Sequence, residues 1–281
     1  MNFERLAFQS WMERHLGCRD LNRWDSYRSK IEEYLITTDS QPAAVEALDR
    51  DAASLLHKGL LSFIGACNDL DLNNRSWAII KLYYSLFYTI RARLCSRRHG
   101  LLRNKSWYHF DINFCGIAPI RLNGRRDRYR NDHECALHLY EDIFSGSDVL
   151  ISNLVDGLPP FSWMMDLRNI ANYRVARFPD PEFPLDVTAK IGLVDASALE
   201  KIIDDNIVDS ANILLFQPEY AWIAIPMKQL LAGYADLALR GQSIALPVDQ
   251  YEHTERIFRT LPAGFQQKFD LTKIFEIRAE S

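Results

Sequence analysis

Apolar positions along the chain fall into a succession of helical repeats. Phe3, Leu6, Ala7 and Trp11 recur at helical spacing, and Trp24, Tyr27, Ile31 and Leu35 do so again after Cys18, so residues 1–38 read as two short helices. Thr37 to Pro42 is a polar break with Ser40 at the expected cap position. Residues 42–69 form the next repeat, with Val45, Leu48, Ala52, Leu55, Leu60, Phe63 and Cys67 mostly on one face, and Asp69 to Asn74 reads as a turn. Residues 75–98 are then apolar nearly all round from Trp77 to Ile90, the pattern of a helix at the centre of a bundle. A basic last turn, Arg97-Arg98-His99, followed by Gly100 is the expected stop signal.

Residues 101–131 read as irregular and basic, followed by a helix from His133 to Phe144. Leu158-Pro159-Pro160 breaks the chain before a helix from Ser162 to Val175. Pro179, Pro181 and Pro184 then cluster within six residues and mark the best candidate boundary. Beyond it, Val187 to Val194 suits an extended segment, and residues 197–215 and 219–239 suit helices, the second with Pro218 at its start and Pro226 as a kink. Residues 250–260 and 263–277 suit two short helices. The pattern predicts an all-α protein: an N-terminal helical extension (1–40), a helical bundle (41–178) and a mostly helical C-terminal region (185–281).

Composition narrows the class without naming a function. The 281 residues are 48% apolar and 25% charged, which suits a globular chain and excludes a disordered or collagen-like one. Cys18, Cys67, Cys95, Cys115 and Cys135 are odd in number, widely spaced and without a C-x-x-C pair, so neither a disulfide framework nor a zinc knuckle is expected. Glu4, Arg5, Glu13 and Arg14 interrupt the first helix, unlike a signal peptide, and the apolar run from Trp77 to Ile90 is shorter than a membrane span. The expected location is cytoplasmic, away from membranes. Metal chemistry is not expected: His133-Glu134-Cys135-Ala136-Leu137-His138 has one residue too many for two histidines to share a helix face. Phosphate-binding glycine loops and a nucleophile elbow are absent from the sequence, and no cofactor is expected.

Charge changes the picture more. Residues 91–130 hold Arg91, Arg93, Arg97, Arg98, Arg103, Lys105, Arg121, Arg125, Arg126, Arg128 and Arg130 against Asp111 and Asp127, a local balance of +9. With a total of −4, the remainder carries −13. Trp107, Tyr108, His109, Phe110 and Tyr129 are interleaved with these cations. Guanidinium for phosphate and aromatic rings for bases is the composition of a nucleic-acid surface. Arg97, Arg98, Arg103, Lys105, Arg125, Arg126, Arg128 and Arg130 are the candidate RNA-binding residues. The competing reading is an Arg-rich loop that pairs with the acidic remainder or with an acidic partner protein.

Three segments carry a family resemblance. Ala78-x4-Tyr83-Tyr84-x2-Phe87-Tyr88-x2-Arg91-Ala92 resembles the central helix of HEPN domains. Lys105-Ser106-Trp107-Tyr108-His109-Phe110 loosely resembles that family's K-[ST]-H loop, and Leu167-Arg168-Asn169-Ile170-Ala171-Asn172-Tyr173-Arg174 is similar to its last-helix signature, R-N-x3-H or R-x2-A-D-Y. Their order and separation also fit, over about residues 42–178. The resemblance implies a four- to five-helix bundle that dimerises, in a toxin–antitoxin or anti-phage defence system. It also implies metal-independent cleavage of RNA by an Arg and a His that meet at the dimer interface. Arg168, Asn169 and Tyr173 are the candidate catalytic residues on this carry-over. Tyr173 stands where nuclease members have His, and Asn172 where others have Asp.

Three readings therefore stay open: a protein that binds RNA, with or without cutting it; a catalytically silent HEPN-like subunit that assembles with a partner protein; and a dimeric helical module with a small-molecule role. On a regular helix Arg168 and Tyr173 point about 140° apart, so a shared site would need a second copy of that helix. The structural alternative is an Arg168 hydrogen-bonded within its own bundle and a packed Tyr173.

Overall fold

A computed structural model describes residues 5–18, 26–123, 131–178, 180 and 196–278. Arg125, Arg126, Arg128 and Arg130, and the extended segment expected at 187–194, lie outside the described residues.

Two long helices organise the fold. Helix α3 (Gln41–Asp71) and helix α4 (Arg75–Ser96) run antiparallel, joined by the short turn that the polar run at 69–74 encodes. Of the 22 residues of α4, 16 are buried, which places it at the centre of the bundle, as its all-round apolar pattern requires. The two helices approach closely at Gly59, where an added Cβ would lie 2.6 Å from Thr89 Oγ1 and 3.3 Å from the Ser85 carbonyl. Ahead of this pair come α1 (Ala7–His15) and α2 (Arg28–Glu32); after it come α5 (Asp132–Phe144) and α6 (Pro160–Asn169). The C-terminal region supplies α7 (Ala196–Val208), α8 (Pro218–Arg240), α9 (Val248–Phe258) and α10 (Ala263–Lys268).

Helix α8 lies directly on α4 and α3, with Gly233 against Thr89 and Leu56. A buried polar cluster joins it to the bundle. Arg93 on α4 donates to Asp148 Oδ2 at 2.6 Å, Gln229 Oε1 at 2.8 Å and Asp236 Oδ2 at 2.9 Å, and also to the Tyr140 hydroxyl. One guanidinium thereby holds α4, α5, the loop after it and α8 together. A buried charge is tolerable only when it is paired and hydrogen-bonded in this way.

The expectation of an irregular 101–131 is corrected: β1 (His99–Asn104), β2 (Ser106–Asp111) and β3 (Ile120–Arg121) form an antiparallel sheet in that order. Five of the six β2 residues are buried, so the strand lacks the alternation that would have marked it. The segment expected as a helix over 263–277 ends at Lys268, and β5 (Phe275–Ile277) pairs in parallel with β4 (Ile244–Leu246). Two local signals also differ. Ser40 stands at the N-cap position of α3, but its hydroxyl makes no capping bond to the helix and accepts the Thr37 N–H at 2.9 Å instead. At the end of α4 the left-handed residue is Arg98 (φ 69°), not Gly100, which lies in β1 against the Phe8 ring. Among the described residues, no helix is long and apolar enough to cross a membrane.

Candidate functional site

Helix α4 presents Tyr84, Phe87, Tyr88 and Arg91 at spacings of three and four, hence on one face. That face forms one wall of a cleft of about 760 Å³. The opposite wall is the β1–β2 hairpin, with Leu101, Arg103, Lys105 and Trp107. The start of α5 adds Asp132 and His133 to the lining, and the N-terminal segment and α3 add Arg5, Leu6, Gln9 and Lys58.

Each wall has a reason to stand where it does. Gln9 on α1 exchanges hydrogen bonds with the Arg103 backbone, donating to its carbonyl at 3.0 Å and accepting from its N–H at 2.9 Å. Helix α1 is anchored in turn by Asp51 on α3, whose carboxylate accepts the Ala7 N–H at 2.5 Å and the Phe8 N–H at 2.9 Å, satisfying two donors of the helix start. Asn131 caps α5 by accepting from the His133 and Glu134 N–H groups, both at 3.0 Å. Asp132 then takes the Trp107 indole N–H at 2.8 Å and pairs with Arg103. The hairpin tip turns at Lys105, which takes a left-handed φ of 52°.

The electrostatics of the cleft favour an anion. Five cations line it, Arg5 already paired with Glu13 and Arg103 with Asp132, the one carboxylate in the lining. Arg91 lies between the rings of Phe87 (5.7 Å) and Trp107 (5.6 Å), and among the described residues no carboxylate or carbonyl hydrogen-bonds it. Burial holds its pKa below the usual guanidinium value. Lys58 stands 5.9 Å over the Tyr88 ring with no carboxylate partner among the described residues. A stacked, partly desolvated guanidinium without an ion pair gains more from an incoming phosphate than a hydrated surface arginine would.

Arg168 lies one layer behind the cleft wall. Its Nη2 donates to the Tyr84 hydroxyl at 3.1 Å, and its guanidinium stacks over Tyr83 (5.6 Å), Tyr84 (5.7 Å) and Tyr173 (5.0 Å). Its Nη1 reaches Asn169 Oδ1 at 3.0 Å. The contact with Tyr173 corrects the expected 140° separation. After Asn169 the helix widens into a π-helical turn, Ile170–Arg174, and residues five apart come onto one side within a single chain. Tyr173 is not packed in the core; it is 67% exposed.

His133 meets the same tyrosine pair from the other side. Its Nδ1 lies 2.8 Å from the Tyr83 hydroxyl, and its ring lies tilted against Phe87 at 4.4 Å. Burial, with Arg168 and Arg91 nearby, holds its pKa below the ordinary imidazole value, and Asp132 only partly offsets them. The imidazole is therefore neutral at pH 7.

The candidate RNA-binding residues divide. Arg103 and Lys105 line the cleft. Arg97 pairs with Asp236 at 2.7 Å and Arg98 with Asp49, so both engage the acidic body of the protein at the far end of the hairpin. Arg91, Lys58, Arg5 and His133 were not singled out from the sequence as site residues. The spacing of Arg91 from Tyr84 and Tyr88 on one helix face was the available signal; the others converge only through tertiary packing. Among the described residues no cluster of three or more metal-ligating side chains occurs. His133 is engaged with Tyr83, and His138 with Glu141 at 2.8 Å. Comparison with family models, with curated proteins and with solved structures finds no match to this chain.

Proposed function

We propose that this chain is a HEPN-like protein that binds single-stranded RNA in the cleft between α4 and the β1–β2 hairpin. The observation that carries the reading is Arg91, which forms no ion pair among the described residues and lies over Trp107 in a cleft where cations and aromatic rings predominate. Phosphate would meet Arg91, Lys58, Arg103 and Lys105, and bases would stack on Tyr84 and Tyr88. Of the α4 residues that carry the HEPN resemblance, Tyr84, Phe87 and Arg91 line this cleft, while Ala78, Tyr83 and Ala92 do not. On that resemblance, the proposed setting is a prokaryotic toxin–antitoxin or anti-phage system. Photo-crosslinking of a 4-thiouridine oligoribonucleotide tests the site: adducts should map to the peptides holding Tyr84–Arg91 and Trp107. Adducts confined to other surfaces would refute it.

A second reading adds cleavage, and the neutral imidazole of His133 in the cleft favours it. With Nδ1–H donating to the Tyr83 oxygen, Nε2 holds the lone pair and takes the 2′-hydroxyl proton. O2′ then bonds to phosphorus, the P–O5′ bond breaks, and O5′ leaves with a proton from the imidazolium, giving a 2′,3′-cyclic phosphate and a 5′-hydroxyl. Arg168 is on this reading a positioning residue, holding Tyr84 and biasing His133. RNA incubated with the protein in excess chelator should acquire those ends, and His133→Gln should leave it intact. RNA left whole by the unaltered protein would remove cleavage while leaving binding in place.

A further inference from the structure

A second hollow, of about 460 Å³, opens between α1 and α3 beside the cleft. The two share Arg5, Leu6 and Lys58 as lining residues, so they adjoin. Beyond the junction the second hollow is lined by Arg14 and Arg50, with Trp11 as its aromatic ring. Its acids are Glu46 and Asp51, and the Asp51 carboxylate is turned to the Ala7 and Phe8 N–H groups. The composition of the cleft, cations with aromatic surface, thus continues past Lys58 along α1.

Resting on the cleft reading above, we propose that the two hollows form one groove that holds a run of several RNA nucleotides, with Lys58 at its midpoint and Arg14 at its far end. Length supports a strand over a mononucleotide. Leu6 and Arg14 are eight residues apart along α1, about 12 Å at a helical rise. Stacked nucleotides advance about 3.4 Å along one strand, so that stretch alone adds roughly three phosphates to those met in the cleft. Arg14 is exposed, and its Nε donates to the Ser10 carbonyl of its own helix at 3.3 Å, so replacing it disturbs no buried contact.

The test is a length series. Fluorescein-labelled oligouridylates, from trimer to dodecamer, are titrated with the full chain and followed by anisotropy at several salt concentrations. Affinity should rise by about tenfold from trimer to nonamer and then level off. Arg14→Glu should weaken the nonamer by about fivefold, lower its logarithmic salt slope by about 0.7, and leave the trimer unchanged. Equal affinity at every length would overturn the extended groove while the cleft reading stands. A length effect that Arg14→Glu does not touch would also overturn it, because the added nucleotides would then run elsewhere. Loss of all binding, trimer included, in the unaltered protein would remove the cleft reading and this inference with it.

Discussion

Arg91 and Arg168 are both stacked on aromatic rings, yet they face different tasks. Arg91 lines the cleft and forms no ion pair among the described residues, whereas Arg168 is held by the Tyr84 hydroxyl and three tyrosine rings behind the wall. The positive charge of Arg168 helps depress the His133 pKa. Arg168→Gln should therefore raise the His133 pKa towards the ordinary imidazole value, read by an NMR titration of its ring protons; an unmoved value would show that the two do not interact. Tyr84→Phe should cost about 1 kcal/mol in urea unfolding, since the lost bond is to a charged donor but is only partly buried. The α4 residues of this site were legible in the sequence because a single helix face displays them at fixed spacing. The neighbourhood of His133 and Tyr83 was not, because it depends on where α5 docks. Nor was the contact of Arg168 with Tyr173, because a regular helical period gives no sign of a π-helical turn.

Elements are fixed to one another at a few points. Gly59→Ala should cost about 1–3 kcal/mol, because the new methyl group would crowd Thr89 and the Ser85 carbonyl across the α3–α4 contact. Asp148→Ala should cost about 3–5 kcal/mol in chemical unfolding, because it removes a partner of the buried Arg93 and leaves that charge undercompensated. A loss near zero would mean that water or Asp236 fully replaces the missing carboxylate. Helix positions were readable from periodicity within a few residues for α3, α4, α5, α8 and α9. The strands were not: β2 is buried on both faces, and β4 and β5 are three residues each, too short to show a period. The partners of Arg93 lie 47 to 143 residues away in sequence, so no local pattern could have placed them.

The whole molecule carries buried ionisable groups whose shifts oppose one another. Burial holds His57 and His109 down to about 4, each further lowered by a neighbouring histidine, and pushes Asp51 up to about 6 against the pull of its two backbone donors. Between about pH 4 and 6 the unfolded chain binds protons at the two imidazoles that the native chain refuses, so these terms make stability rise with pH. Asp51 acts in the reverse sense, since the native state keeps its proton longer. Two against one leaves a net gain of about 1.4 kcal/mol per pH unit, levelling off near 6.5 as the unfolded imidazoles lose their protons. His99 and His133 are shifted down by burial as well and add to the same trend. The melting temperature should therefore climb from pH 4.5 to 6.5, and a fall over that range would show that Asp51 outweighs the histidines. The sequence disclosed the basic segment and its acidic complement at this scale. It did not disclose that Arg93, Arg97, Arg98 and Arg103 would each meet a carboxylate while Arg91 forms no ion pair among the described residues.

The cleft stands or falls on that one guanidinium. Arg91→Met keeps an apolar chain of similar length against Phe87 and Trp107 while removing the charge. Anisotropy of a labelled oligouridylate, measured over a salt series, should show about tenfold weaker binding for the variant and a logarithmic salt slope shallower by about 0.7, the loss of one phosphate contact. Identical affinity and slope in the two proteins would contradict the account.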